Sequence, residues 1–188
     1  TYKNGLLVMG TSRGDGTTGE VITENLKTIS DIPQKITYKD FPKDIDIRGE
    51  VFIKKSDFSN LKNNFANPRN AASGSLRQKN SEQTKKIPLN FIAYTFGYFE
   101  SKIIKKQSEF LRSLKKWGFK TSEHNKVLKT INDLENFQKN FEKDRFDLEY
   151  DVDGLVYKIN SLDLQKRLGF TASSPRWAIA HKFSADSA

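Results

Sequence analysis

Asp151-Val152-Asp153-Gly154-Leu155-Val156-Tyr157-Lys158 and Trp177-Ala178-Ile179-Ala180-His181-Lys182-Phe183 decide how this chain is read. They are two apolar, strand-like runs, each carrying a lysine near one end, the two lysines 24 residues apart. A strand has no structural need of a lysine at such a position. Successive side chains of a strand point to opposite faces, so Lys182 shares a face with Ala178 and Ala180, whereas Trp177, Ile179, His181 and Phe183 face the other way. One face is bulky and apolar; the other is small residues ending in a cation. That leaves room for a flat ligand lying against the strand with an anionic group beside the ammonium, a description that a nucleotide meets.

Outward from these runs, the remaining pattern predicts an α+β fold with mostly antiparallel sheets and flanking helices. Thr1 to Met9 reads as strand, Asn4-Gly5 hairpin turn and strand. The first of these strands has only three residues, which suggests that the chain begins inside an element. Ile45, Ile47, Gly49, Val51 and Ile53 alternate with Asp46, Arg48, Glu50 and Phe52, the signature of a half-buried strand with charge on its second face. Ser56 is placed to cap a short helix through Leu61, and Asn67 followed by Pro68 starts a helix running towards Arg77. Leu89 to Phe99 is apolar on both faces and predicts a central strand buried on both sides. Ser108 opens a helix with Phe110, Leu111, Leu114 and Trp117 on one stripe, stopped by Gly118. A second helix is expected from about Thr130 to Lys143 with Leu134, Phe137 and Phe141 inward. Both read as packing. Ser161 caps a short helix ending at Gly169, and Pro175 precedes the last strand. Without an internal repeat, low-complexity tract or linker, residues 1–188 read as one domain.

Composition narrows the chemistry. The chain has 32 basic and 23 acidic residues, a net charge of +9, which gathers polyanions and makes nucleic acid the natural partner. Lysine used as the default surface residue would give the same count. Cysteine is absent, which excludes disulfides, thiolate nucleophiles and cysteine zinc sites, and with only His124 and His181 a histidine-based metal site is a poor reading. No run reaches the ~18 apolar residues of a membrane span and no charged-then-apolar leader opens the chain, so a soluble, intracellular protein is expected.

Three further segments carry candidate chemistry. Thr11 to Glu20 holds three glycines that let backbone approach a ligand and an Arg13 suited to phosphate, although an ordinary polar loop has the same composition. Glu50, on the charged face of its strand, is suited to accept hydrogen bonds from ribose hydroxyls; the alternative is a cross-strand ion pair with Arg48 or a lysine. Arg69, Ser73 and Arg77 fall at i, i+4 and i+8 on one side of a helix whose small neighbours Ala72, Gly74 and Ser75 admit something large, and paired arginines suit a phosphate backbone. Tyr94, in the apolar run Phe91–Thr95, is either core or a ring presented to a base, and the sequence alone favours core.

Taken together, Ser12–Glu20, Arg48–Phe52, Phe65–Gln78, Asp153–Lys158 and Ser174–Phe183 resemble, in order and context, the nucleotidyltransferase (adenylation) domain of bacterial NAD+-dependent DNA ligases, over essentially the whole chain. The resemblance implies a ligase/nucleotidyltransferase (ATP-grasp-like) fold. It implies that Arg13 and Glu50 contact the adenylate, with Glu50 on the ribose, and that Tyr94 stacks on adenine, against the core reading. It implies that Lys158 and Lys182 hold the base and α-phosphate region and take part in catalysis, that Val156 and Leu155 wall the adenine pocket, and that Asp153 assists by organising charge or a magnesium ion. Arg69, Arg77 and Arg145 would engage nicked DNA or its 5′-phosphate. NAD+ as adenylate donor, Mg2+, nicked duplex DNA, the remaining ligase domains, a monomeric state and a bacterial cytoplasmic location follow as expectations, with no dedicated metal ligands. Glu50, Lys158 and Lys182 would then converge on one pocket shaped for AMP. Family members carry a nucleophilic Lys-x-Asp-Gly one strand before the Tyr2-Lys3-Asn4-Gly5 turn; nothing in residues 1–188 matches it, which reads as truncation at both ends. The alternatives are a non-catalytic DNA-binding remnant and an ATP-dependent relative.

Overall fold

The computed structural model describes residues 1–61 and 65–184. The chain divides into two compact units, one of Thr1–Lys102 with Leu111–Glu123, the other of Ile103–Phe110 with His124–Ala188.

The first unit is built on a four-stranded antiparallel sheet in the order β2-β1-β3-β4, made of β1 (Tyr2–Lys3), β2 (Leu6–Leu7), β3 (Asp44–Phe52) and β4 (Asn90–Phe99). Asn4 and Gly5 take positive φ, 50° and 78°, as a tight hairpin turn requires. The buried side is held by aromatic edges: Tyr2 meets Phe41 and Phe119, and Phe41 meets Trp117, at centroid distances of 5.0–5.8 Å. Tyr2 donates its hydroxyl to the Pro33 carbonyl, and burial pushes its ionisation far above the ordinary tyrosine value.

Beside the sheet lie α1 (Thr23–Leu26), α2 (Lys55–Ser59), α3 (Pro68–Leu76) and α4 (Ser81–Lys85). The expected cap of α3 is present, the Asn67 side chain accepting from the Asn70 amide with Pro68 in the first turn. Ala71 and Ala72 bury against Ile53, joined by Phe58, Leu61, Phe65, Ile87 and Leu89. Two departures from the sequence reading occur here. Ser56 lies inside α2, whose N-cap is Lys54 in extended conformation with no side-chain cap. β4, expected to be central and buried on both faces, is the edge strand, and Tyr94 and Tyr98 on it are 43% and 52% exposed. Its outer edge is covered by other chain: the Phe91 amide donates to the buried Asp31 carboxylate, which also pairs with Lys120, and the Ala93 amide donates to the Lys120 carbonyl.

The second unit contains an antiparallel pair, β5 (Gly154–Lys158) and β6 (Ala178–Lys182), with α6 (Ile131–Asp144) and α7 (Leu162–Leu168). Between the α4 and α6 segments runs α5 (Gln107–Lys116), starting one residue before the expected Ser108; its Phe110 and Leu114, with Trp117 just beyond its end, are buried, and Gly118 at φ 100° follows its last turn. Thr130 and Asp133 form a capping box on α6, and Ser161 caps α7, which stops at Gly169 with φ 66°.

Candidate functional site

In the second unit, the register of β5 and β6 pairs Gly154 with Lys182, Val156 with Ala180 and Lys158 with Ala178. Directly opposed residues of an antiparallel pair project to the same side. Lys158 and Lys182 therefore share one face, at opposite ends of the pair, with Gly154, Val156, Ala178 and Ala180 as a low floor between them. Four residues at ~3.4 Å each put the two lysine positions roughly 14 Å apart along the strands. Leu155, Tyr157, Ile179 and His181 occupy the other face, so Val156 is on the lysine side and Leu155 is not.

The two lysines differ electrostatically. The Lys182 ammonium donates to Asp153 Oδ2 at 3.1 Å, with both side chains mostly exposed. Lys158 is partly buried, and desolvation pushes its pKa below the ordinary lysine value because burial penalises the charged form. Gly154 is required by geometry: a Cβ there would overlap the His181 carbonyl of the facing strand. Backbone thus closes tightly at the end that carries Asp153 and Lys182, where the Phe183 amide also donates to the Asp153 carbonyl at 2.8 Å.

In the first unit, Glu50 pairs in register with Ile92 on the exposed side of β3 and β4. The register slips between Arg48–Thr95 and Gly49–Ala93, so Tyr94 is the extra residue of a β-bulge. Alternation from Ile92 turns the Tyr94 ring to the Glu50 side, which overturns the core reading of this tyrosine. Gly49 lies close against β4, where a Cβ would overlap the Ile92 carbonyl and the Phe91 ring.

Arg13 lies in an exposed excursion whose stems pair at Thr11 and Val21. This loop is organised around Asp15, which accepts from the Thr17 and Thr18 amides at 2.8 and 2.6 Å; these donors, Thr18 foremost, lower its pKa below the usual aspartate value. The Arg13 guanidinium makes no hydrogen bond or ion pair among the described residues. Arg69, Ser73 and Arg77 line the exposed side of α3 and its C-cap, opposite buried Ala71, Ala72 and Ser75, and Arg77 reaches Glu20 of the glycine-rich loop at 3.7 Å. Arg145 instead turns onto protein, donating to the Val152 and Ser184 carbonyls.

The structure therefore groups Lys158, Lys182, Asp153 and Val156 on one hairpin, and Glu50 with Tyr94 on one sheet face. The pairing of Asp153 with Lys182 had no local signal, since it depends on strand register across 29 residues. Among the described residues no three carboxylate or histidine groups cluster as a metal cage. No helix of the described residues is long and apolar enough to cross a membrane.

Comparison with known proteins identifies the family. The family model for the NAD-dependent DNA ligase adenylation domain matches residues 1–186. A DNA ligase of Pelagibacter ubique (strain HTCC1062) is 61% identical over 186 residues, covering 99% of this chain and 28% of the relative. A DNA ligase of Bartonella tribocorum is 48% identical over 195 residues, 100% of this chain and 27% of the relative, and one of Rickettsia akari is 45% identical over 192 residues, 98% and 28%. The chain thus spans little more than a quarter of the length of these curated relatives.

Proposed function

This chain belongs to the family of NAD-dependent DNA ligase adenylation domains, and on that premise we propose that its two compact units form the adenylation domain of a DNA ligase that seals nicks in duplex DNA. The observation that carries the reading is the hairpin face on which Lys158 and Lys182 flank a floor of small residues, with Asp153 beside Lys182. The fold is the ligase/nucleotidyltransferase type, related to ATP-grasp folds. The enzyme acts as a monomer in the bacterial cytoplasm, alongside its remaining domains.

NAD+ supplies AMP to a lysine of the enzyme with release of nicotinamide mononucleotide; the AMP then passes from the lysine to the 5′-phosphate of the nick, and leaves when the 3′-hydroxyl attacks that phosphate and joins the strand. Each step gathers negative charge on phosphoryl oxygens, so the protein contributes chiefly by positioning and by neutralising charge. Within the second unit, Lys182 and Lys158 are suited to the α-phosphate region and Val156 to adenine. Within the first unit, Glu50 is suited to accept from ribose hydroxyls, the exposed Tyr94 ring to stack on a base, and Arg13 to meet a phosphate. Asp153 keeps the Lys182 ammonium in place and would be the residue to hold Mg2+, which would supply further neutralisation of the phosphates. Arg69 and Arg77 meet the DNA backbone.

Sealing of a singly nicked duplex by the ligase that contains this chain tests the reading. Closure with NAD+ and none with ATP is expected. Closure with ATP alone would place the protein in another nucleotidyltransferase branch, and DNA binding without closure would make it a binding module.

A further inference from the structure

We propose that Arg145 is a positioning residue that fixes the Asp153–Lys182 pair by clasping the chain on both sides of it. Its Nη1 donates to the Val152 carbonyl at 2.8 Å and its Nη2 to the Ser184 carbonyl at 3.3 Å. Val152 immediately precedes Asp153, and Ser184 lies two residues after Lys182. Inside this clasp sit the Lys182–Asp153 ion pair and the hydrogen bond from the Phe183 amide to the Asp153 carbonyl.

The location explains the need for it. β5 begins at Gly154 and β6 ends at Lys182, so Asp153 and Phe183 lie just past the last ladder pair. A two-stranded ribbon holds its ends weakly. Arg145 adds a cross-link there, and it is itself oriented: its guanidinium carbon stands 4.6 Å from the Phe146 ring centroid and 5.0 Å from that of Phe183. A 3₁₀ turn, Arg145–Asp147, at the end of α6 presents it. The task needs arginine. A planar fork reaches two divergent carbonyls at once, whereas an ammonium is a point donor on a flexible stem. This role differs from the DNA contact expected of Arg145 from the resemblance. Its catalytic consequence rests on the function proposed above; the clasp itself does not.

The test compares wild type with Arg145→Lys and Arg145→Gln. Amide exchange on the full chain should show the Phe183 amide exchanging about tenfold faster or more in both variants, with the Ile159 amide at the far end of the same hairpin unchanged. In the ligase containing the chain, adenylation without DNA should lose about tenfold or more in kcat, with KM for NAD+ held within about threefold. Phe183 exchange at the wild-type rate in Arg145→Lys would overturn the clasp. Faster exchange with normal adenylation, and sealing lost only at the DNA steps, would overturn the positioning role. Faster exchange in the variants, together with a wild-type ligase that takes no AMP from NAD+, would sink the proposed function and leave the clasp standing.

Discussion

Lys182 donates to Asp153 at 3.1 Å, tying the residue before β5 to the last residue of β6 across 29 positions of sequence. Both side chains are mostly exposed, at 71% and 84%. Such a pair contributes only about 0.2–1 kcal/mol to stability.

Lys182→Ala should therefore leave the melting temperature within about 4 °C of wild type. The same variant of the complete ligase should lose about a hundredfold or more in adenylation rate, the usual cost of removing a group that stabilises developing charge. Measuring both on one preparation separates the effects; a cooperative, wild-type melt with undiminished adenylation would remove Lys182 from the chemistry.

Lys158 gives a pH dependence whose sign follows from burial. Its folded pKa lies below the unfolded one, so between the two values the unfolded chain binds more protons and stability rises with pH. Relative to a Lys158→Met variant, wild type should gain melting temperature as pH climbs through that window. Binding runs the opposite way. An AMP phosphate favours the charged ammonium, so affinity should fall as pH rises through the folded pKa, and Lys158→Arg, which stays protonated, should lose this falling limb. Calorimetric titration across the alkaline range decides it, an unchanged limb in the arginine variant assigning the titration elsewhere.

Gly154→Ala should destabilise the second unit by about 1–3 kcal/mol, because the new methyl group meets the backbone carbonyl of His181, which cannot turn aside as a side chain would. Urea unfolding followed by a probe in that unit reads this directly. A variant as stable as wild type would mean that the two strands are not so closely apposed.

Most local signals were legible, Ser56 as a cap being an exception, and long-range ones were not. Asn67 and Ser161 as caps and Gly118 and Gly169 as stops could be read because capping depends on neighbours within a turn. The alternation in Trp177–Phe183 likewise placed Lys182 beside Ala178 and Ala180, as the register bears out. β4 was misread because an apolar run has the same appearance at the edge of a sheet as at its centre. What covers its edge, the Asp31 carboxylate and the Lys120 carbonyl, comes from distant sequence. The core reading of Tyr94 fails for the same reason: alternation puts it on the Glu50 side, and only the position of β4 at the sheet edge leaves that side exposed. The candidate site residues come largely from the family resemblance, which names residue types at fixed spacing but not the pairing of Asp153 with Lys182.

The most direct measurement follows backbone and methyl resonances of the β5–β6 hairpin while AMP is added. We expect saturable shifts at Val156, Ala180 and Lys182 on the lysine face, lost in Lys158→Ala and Lys182→Ala, with Ile179 and His181 on the opposite face little affected. Shifts confined to that opposite face, or none at saturating AMP, would contradict the assignment of this hairpin to the adenylate.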